Sequence, residues 1–139
     1  MLLLDAGVLL AQADADDPQH ENVVRLLQGE RGPLVTSQIV LAEADYLILT
    51  RLGLDLEISF LHDLAAGTFI ADCLTQSELA LARDIVVQYR DLALGVADAS
   101  LVVLAERYNT RRLATFNERD FRAVMPLRGG AFSLLPADL

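Results

Sequence analysis

The sequence predicts an α/β fold with a mostly parallel central sheet of four to five short strands and helices on both faces. Short apolar runs alternate with longer segments of helical periodicity along the chain. Several of these runs are apolar throughout, which is typical of strands buried on both faces. With 139 residues, of which 53% are hydrophobic, we expect a single domain over residues 1–139.

The first third of the chain is expected to hold two strands and two helices. Leu2–Asp5 is an apolar run that ends in an acid, as a buried strand does where it emerges from the sheet. Gly7–Ala13 predicts one or two helical turns, and an acidic break precedes a second helix over Pro18–Gln28, since proline suits a first helical turn. Gly29–Pro33 is a turn, and Leu34–Thr36 is the second strand.

Helical periodicity dominates the rest of the chain. Ser37 is a good N-cap for a helix over Ser37–Leu52, which Gly53 ends, and Asp55–Ala66 is a second amphipathic helix. A later helix starts between Gly95 and Asp98 and ends near Arg107. The remaining predicted elements, in order along the chain, are the strand Thr68–Ala71, the helix Thr75–Tyr89, the strand Leu113–Thr115, the helix Glu118–Ala123 and the strand Phe132–Leu135.

Composition excludes several classes of site. All 11 basic residues are arginine, so mechanisms that need a lysine, such as Schiff-base chemistry or a P-loop, are excluded. One cysteine and two distant histidines argue against an internal disulfide, a thiolate zinc site and a Ser-His-Asp triad. No run reaches about 18 apolar residues, so we expect a soluble cytoplasmic protein that does not contact a membrane.

Three acids stand in apolar surroundings where a parallel sheet collects ligands. Asp5 ends the first strand, Glu43 lies on the helix after the second strand, and Asp98 lies near the start of a later helix. Asn117 follows the fourth strand by two residues. Because ligands bind beyond the carboxyl ends of the strands in open α/β sheets, we expect these four side chains to converge.

A cluster of three carboxylates needs compensation for its charge. At about 5 Å, each pair would repel by roughly 3 kcal/mol at an effective dielectric constant of about 20. Protonation could supply the compensation, whereas Mg²⁺, or Mn²⁺ in its place, does so while the carboxylates stay ionised. A cation held in this way can bind a phosphate oxygen and activate water, which predicts phosphodiester hydrolysis.

Four segments carry these residues: Leu3-Leu4-Asp5-Ala6-Gly7, Leu41-Ala42-Glu43 four residues after Ser37, Gly95-Val96-Ala97-Asp98-Ala99-Ser100, and Leu113-Ala114-Thr115-Phe116-Asn117-Glu118-Arg119-Asp120-Phe121. Together they resemble the PIN-domain family, in particular the VapC-type toxins of bacterial toxin–antitoxin pairs. The resemblance covers essentially the whole chain.

The resemblance implies a PIN-like three-layer α/β/α fold and an Mg²⁺-dependent endoribonuclease that a cognate antitoxin holds inactive. It implies that Asp5 and Asp98 hold the metal most directly and that Glu43 positions or deprotonates the attacking water. The apolar helix faces in Val40–Leu49 and Leu54–Leu64 exceed what one small core requires. They are expected to serve a homodimer or an antitoxin helix, and the sequence does not allocate them between the two.

One position departs from the family pattern. The family usually has a fourth acid where this chain has Asn117, which keeps an oxygen but removes one negative charge. Weaker metal binding, or a single cation, is therefore expected. Asp120, three residues later, could substitute, although in the resemblance it belongs to the next helical turn. Thr115 is expected either to hydrogen-bond a metal-bound water or phosphate, or to be an ordinary buried threonine.

Charge distribution suggests where RNA could bind. From residue 107 onward there are six arginines and three acids, whereas the first 106 residues hold five arginines and 17 acids. Arg112 and Arg119 flank Asn117 and are expected to receive RNA phosphates at the mouth of the acidic site. The alternative is that these arginines bind a partner segment or are simply solvated.

A second function class stays open on sequence grounds. The chain could be a catalytically weakened or inactive PIN-like interaction domain in which Asn117 marks a decayed site. Two other acidic α/β classes are excluded by residue identity. A phospho-accepting receiver domain relies on a lysine that this chain lacks, and the haloacid-dehalogenase type needs an aspartate where this chain has Gly7.

Overall fold

The computed structural model describes all 139 residues, and its five strands form one sheet in which every paired strand is parallel to its neighbour. The spatial order is β3-β2-β1-β4-β5, which confirms the predicted parallel sheet. The strands are β1 (Leu2–Leu4), β2 (Leu34–Ser37), β3 (Ile70–Asp72), β4 (Arg112–Ala114) and β5 (Ser133–Leu135).

Seven α-helices connect and cover the strands. They are α1 (Ala6–Ala13), α2 (His20–Gly29), α3 (Gln38–Leu52), α4 (Leu54–Ala65), α5 (Gln76–Gln88), α6 (Val96–Tyr108) and α7 (Glu118–Ala123), with a short 3-10 turn over Arg90–Leu92 that the sequence analysis did not predict.

The helix boundaries follow from local capping. The Ser37 hydroxyl accepts a hydrogen bond from the Val40 N–H at 3.0 Å, which starts α3 as predicted. Gly53, at a φ of 98°, separates α3 from α4 in a conformation that favours glycine. Thr75 and Glu78 form a reciprocal capping box at the start of α5.

Two strand predictions were shifted along the chain. The third strand begins at Ile70 rather than Thr68, because the three residues that pair with β2 are Ile70–Asp72. The fourth begins at Arg112 rather than Leu113, because Arg112 pairs with Ser133 of β5. The pairing partner decides such boundaries, and local pattern does not reveal it.

The sheet is covered on both faces. Successive residues of β1 point to opposite faces, and Leu2, Leu3 and Leu4 are all fully buried. They belong to a cluster of 31 buried hydrophobic residues that includes the inner faces of α1 and α6. None of the helices has the length and apolar character needed to cross a bilayer.

The topology creates one crevice. The chain moves outward from β1 to β2 and β3 on one side, and then returns to place β4 and β5 on the other. The direction of the connections therefore reverses at β1, between β1 and β4. The carboxyl ends of these two strands, followed by Asp5 and Thr115, flank the opening where ligands bind in sheets of this type.

Candidate active site

Asp5 is fixed at the centre of the crevice by three hydrogen bonds. Its backbone N–H donates to the Ala114 carbonyl at 3.0 Å, which continues the β1–β4 pairing by one residue. Its side chain caps α1: Oδ1 accepts from the Ala6 N–H at 2.8 Å, and Oδ2 accepts from the Thr115 hydroxyl at 2.7 Å. Asp5 is only 9% exposed, so it is a buried carboxyl group with a defined orientation.

The helices that carry Glu43 and Asp98 are joined by a buried hydroxyl pair. The Oγ atoms of Ser37 and Ser100 lie 2.6 Å apart, and both residues are fully buried. Ser100 also donates to the Ala97 carbonyl at 2.6 Å, so Ser37 supplies the proton of the shared bond. This chain of bonds links the N-cap of α3 to α6, the two helices that carry Glu43 and Asp98.

The carboxyl groups lie close enough to perturb one another. Burial, followed by the negative charges of Asp5, Glu43 and Asp120, raises the pKa of Asp98 to about 7. Partial shielding from water and the charge of Asp5 also raise the pKa of Glu43. Burial raises the pKa of Asp5, although its bonds from Thr115 and Ala6 oppose that shift. The three predicted acids therefore share one electrostatic environment, and Asp120 joins it.

The cluster has no cationic partner within the protein. The structure contains eight ion pairs, and none of them includes Asp5, Glu43, Asp98 or Asp120. Seven of the sixteen acids outside the cluster are paired with arginine. No cationic side chain therefore compensates the negative charge of this crevice, which leaves protonation or a bound hard cation to do so.

The donor set fits a hydrated divalent cation better than a tight cage. No three acidic, histidine or cysteine side chains are arranged to hold one metal ion together. Mg²⁺ is usually bound by one or two carboxylates and keeps several waters. The oxygen-only donors of the cluster suit that mode, so their chemistry is compatible with a hydrated divalent cation.

Asn117 serves Asp120 rather than the crevice directly. Its Oδ1 accepts from the Asp120 N–H at 3.4 Å and so caps α7, while its Nδ2 donates to Asp120 Oδ2 at 2.9 Å. Both functional atoms of the amide are thus occupied. Asp120, in the first turn of α7, is close enough to Asp98 for its charge to act on it, and Asn117 holds its carboxylate by this hydrogen bond. Its Asn-x-x-Asp spacing from Asn117, which suits an N-cap, was the available sequence signal.

Thr115 is committed to positioning Asp5. Its hydroxyl carries a single proton, which goes to Asp5 Oδ2, and its oxygen accepts from the Asn117 N–H at 3.0 Å. The residue is 1% exposed. Of the two alternatives for Thr115, the structure matches the buried threonine at the end of a strand, because its one proton goes to Asp5.

Arg112 lies at the wrong end of the sheet for substrate binding. It begins β4, whereas the crevice opens beyond the end of that strand. Its Nη1 contacts Glu30 Oε2 at 2.5 Å and the Met1 carbonyl at 3.3 Å, at the amino edge of the sheet. The Glu30 side chain, only 6% exposed, also contacts the amino terminus. The structure does not support RNA contact by Arg112, because the residue lies at the amino ends of the strands and the crevice lies at their carboxyl ends.

Arg119 is accessible to a ligand. It is exposed in the first turn of α7 and takes part in no ion pair. The other C-terminal arginines are largely neutralised: Arg107, Arg122 and Arg128 each pair with acids. Most of the C-terminal arginines that give the sequence its local positive charge therefore form ion pairs with surface acids. Arg119 is the arginine nearest to Asn117 in the sequence that forms no ion pair.

Comparison with known proteins gives this geometry a context. The profile of the PIN domain family matches residues 2–125. Ribonuclease VapC26 of Mycobacterium tuberculosis is 41% identical over 136 residues, which cover 97% of this chain and 100% of that protein.

Solved structures agree in fold. VapC20 of Mycobacterium tuberculosis, described as a toxin that cleaves the sarcin-ricin loop, has a TM-score of 0.76 at 18% identity and matches 81% of this chain and 87% of its own. VapBC2 of Rickettsia felis, bound to a promoter DNA fragment, has a TM-score of 0.65 at 18% identity over 96% of both chains. Since the family profile spans most of the sequence and a close relative matches nearly all of it, the chain belongs to the PIN-domain family.

Proposed function

We propose that the protein is a divalent-metal-dependent endoribonuclease that acts as the toxin of a toxin–antitoxin pair. The observation that carries this proposal is the cluster of Asp5, Glu43 and Asp98, joined by Asp120, which has no cationic partner in the protein. The 41% identity to a ribonuclease of the VapC type supports the reaction class.

Each residue of the acidic cluster and its hydrogen-bond partners would have a separate role in the reaction. Asp5 and Asp98 would hold Mg²⁺ or Mn²⁺, which when bound would stabilise charge on the phosphate and make water more acidic. Thr115 and the Ala6 N–H keep the Asp5 carboxylate oriented. Glu43, an exposed acid whose pKa is raised by partial desolvation and by the nearby charge of Asp5, would position or deprotonate the attacking water. Asn117 acts indirectly, because it holds Asp120.

RNA cleavage by the purified protein tests the proposal. We expect cleavage of single-stranded RNA with Mg²⁺ or Mn²⁺, its loss with EDTA, and its loss in Asp5→Asn and Asp98→Asn. Asp84→Asn is the matched control, because Asp84 is an exposed acid whose only partner is Arg83 on the surface. Equal cleavage by wild type and Asp98→Asn would contradict the mechanism.

The alternative of a non-catalytic interaction domain makes the opposite prediction. It expects no metal-stimulated cleavage, and growth inhibition, if there is any, that Asp5→Asn and Asp98→Asn do not change. Expression of the wild type and the two variants in a bacterial host, with growth as the readout, separates the two functions.

Protein partners are proposed for the outer faces of α3 and α4. These helices expose large apolar side chains that a monomer would not normally leave in water. We propose that they serve a second copy of the chain and a cognate antitoxin, and light scattering at several concentrations tests the first. An Ile58→Asp variant, which places a charge on the 55%-exposed Ile58, should lower the measured mass if this face forms a dimer. The exposed residues are Tyr46, Leu49, Leu54, Leu56, Ile58 and Leu61.

A further inference from the structure

We propose that Phe116 is a stacking surface for a nucleobase of the RNA, adjacent to the phosphate that is cleaved. This inference rests on the proposed ribonuclease function and deepens it. It assigns to a residue outside the acidic cluster the contact that positions single-stranded RNA. The supporting observations are the place of Phe116, its exposure and the charge around it.

Phe116 lies between two residues of the site and is held there. Thr115, on one side, bonds to Asp5, and Asn117, on the other, bonds to Asp120. The Asn117 N–H also donates to the Thr115 hydroxyl at 3.0 Å, which bridges over Phe116 and fixes the backbone at that point. The aromatic ring is therefore attached to the most constrained segment at the crevice.

Phe116 is the one exposed phenylalanine of the chain. The other four phenylalanines, Phe60, Phe69, Phe121 and Phe132, are between 1% and 5% exposed, whereas Phe116 is 38% exposed. One edge of its ring rests near Gly7 at the start of α1, where an added Cβ would lie 3.7 Å from Phe116 Cδ2. Gly7 has no side chain to cover the ring, so part of the Phe116 side chain stays exposed at the start of α1, two residues after Asp5.

The charge balance of the protein explains why such a surface is needed. The net charge is −9, and the crevice itself is acidic, so the phosphate backbone gains little from long-range attraction. Arg119 is one free cation near the site, and most other C-terminal arginines are paired. Stacking of a base on an aromatic ring is independent of charge and tolerant of sequence. It supplies affinity that the electrostatics of this protein do not.

The chain offers an unusually clean probe, because it contains no tryptophan. Phe116→Trp would be the sole tryptophan, and a base stacked on its ring quenches its fluorescence. The measurement uses the full chain with Asp98→Asn, so that a single-stranded oligoribonucleotide is bound without being cleaved. The matched control is Leu139→Trp, also with Asp98→Asn. Leu139 is 85% exposed and lies beside Arg112 and Glu30 at the opposite edge of the sheet.

We expect saturable quenching at position 116 and none at position 139, with the same dissociation constant as that given by the anisotropy of labelled RNA. Binding by anisotropy without quenching at position 116 overturns the proposal. Quenching without any cleavage by the wild-type protein supports the stacking contact and overturns the proposed nuclease function. Absence of RNA binding in every variant overturns both.

A substitution series separates stacking from general packing. Phe116→Leu keeps an apolar side chain of similar volume but has no ring, whereas Phe116→Tyr keeps the ring. We expect Phe116→Leu to weaken RNA binding by roughly fivefold to a hundredfold, and to raise KM with a smaller change in kcat, while Phe116→Tyr stays close to wild type. Equal affinity of the Leu and Tyr variants would show that Phe116 only packs against Gly7, and the inference would fail.

Discussion

The Thr115 hydroxyl donates a hydrogen bond to Oδ2 of Asp5 across 2.7 Å, although the two residues lie 110 positions apart in the chain. The bond joins the ends of the two central strands, β1 and β4. It also opposes the effect of burial on Asp5, because a donor to the carboxylate favours its ionised form. A single buried hydroxyl thus connects the topology of the sheet to the charge state of the site.

Replacement of this hydroxyl should affect both stability and activity. Thr115→Val keeps the shape of the side chain but leaves the buried Asp5 carboxylate with one donor fewer and the Asn117 N–H without its acceptor. We expect a loss of about 1–3 kcal/mol in the free energy of unfolding near neutral pH, measured by urea denaturation, and a fall in RNA cleavage. Thr115→Ser restores the hydroxyl and should recover most of both. Equal stability of the Val and Thr proteins would show that the bond contributes nothing.

Asp98 makes the metal-free protein less stable as pH rises. The pKa of Asp98 is about 7 in the folded protein against its ordinary value of 3.8, so between these values the folded state holds a proton that the unfolded state has lost. The stabilising contribution is complete below pH 3.8 and disappears as pH rises through about 7. In EDTA, we expect the Tm of the wild type, relative to Asp98→Asn, to fall between pH 5 and pH 8.

The Asp98→Asn variant is the reference in this experiment because the titrating groups outside the acidic cluster cancel in the difference, which leaves the contribution of Asp98 and of its coupling to Asp5, Glu43 and Asp120. At pH 8, where the repulsion among the acids is strongest, the variant should be more stable than the wild type while it no longer cleaves RNA. Added Mn²⁺ should raise the Tm of the wild type more than that of the variant. Parallel pH profiles for the two proteins would contradict the electrostatic account of the cluster.

Local sequence signals predicted the parallel sheet and the elements on which the three acids lie. Apolar runs, capping residues and the rule that ligands gather at strand ends predicted the positions of Asp5, Glu43 and Asp98, because each depends on its own strand or helix. Arg112 was misassigned because its side-chain direction depends on Glu30, 82 residues away. Arg112 was predicted near the site because it is close to Asn117 in the sequence. The three-residue strand β4 begins at Arg112, so Arg112 is at the amino end of the strand and Asn117 is beyond its carboxyl end.

The same limit applies to hydroxyl and amide groups in the site. Thr115 and Asn117 follow β4 in the structure as in the sequence prediction, but the partners of their polar atoms could not be derived from spacing. Thr115 directs its only proton to Asp5, and Asn117 directs its amide to Asp120. Burial fixes these choices, since an unsatisfied polar atom in the interior costs free energy. Which hydrogen-bond partner each polar atom selects depends on the folded structure and not on spacing along the chain.

Asn117→Asp should lower the stability of the metal-free protein and raise its affinity for a divalent cation. The Asn117 Nδ2 atom lies 2.9 Å from Asp120 Oδ2, so the substitution replaces a hydrogen bond by two facing carboxylates. In the absence of divalent cations, we expect a lower Tm than in the wild type. Isothermal titration should show tighter Mn²⁺ binding, because the cluster gains a negative charge. Unchanged binding would show that position 117 lies outside the reach of the cation.

Arg112 provides the test of the corrected assignment. It pairs with the nearly buried Glu30 side chain at the amino edge of the sheet, and this partner, with the Gly32 N–H, lowers the pKa of Glu30. Arg112→Ala should therefore reduce the free energy of unfolding by roughly 1–3 kcal/mol, the range for a lost hydrogen bond to a charged group.

The same variant should leave the KM for RNA unchanged at a temperature where it is fully folded. Arg119→Ala gives the complementary result, because Arg119 is exposed and unpaired near the crevice: stability stays within about 0.5 kcal/mol of wild type, and KM rises. The salt dependence of RNA binding should also become shallower in Arg119→Ala, since one phosphate contact is lost. A raised KM in Arg112→Ala, with Arg119→Ala unaffected, would return Arg112 to the substrate-binding role.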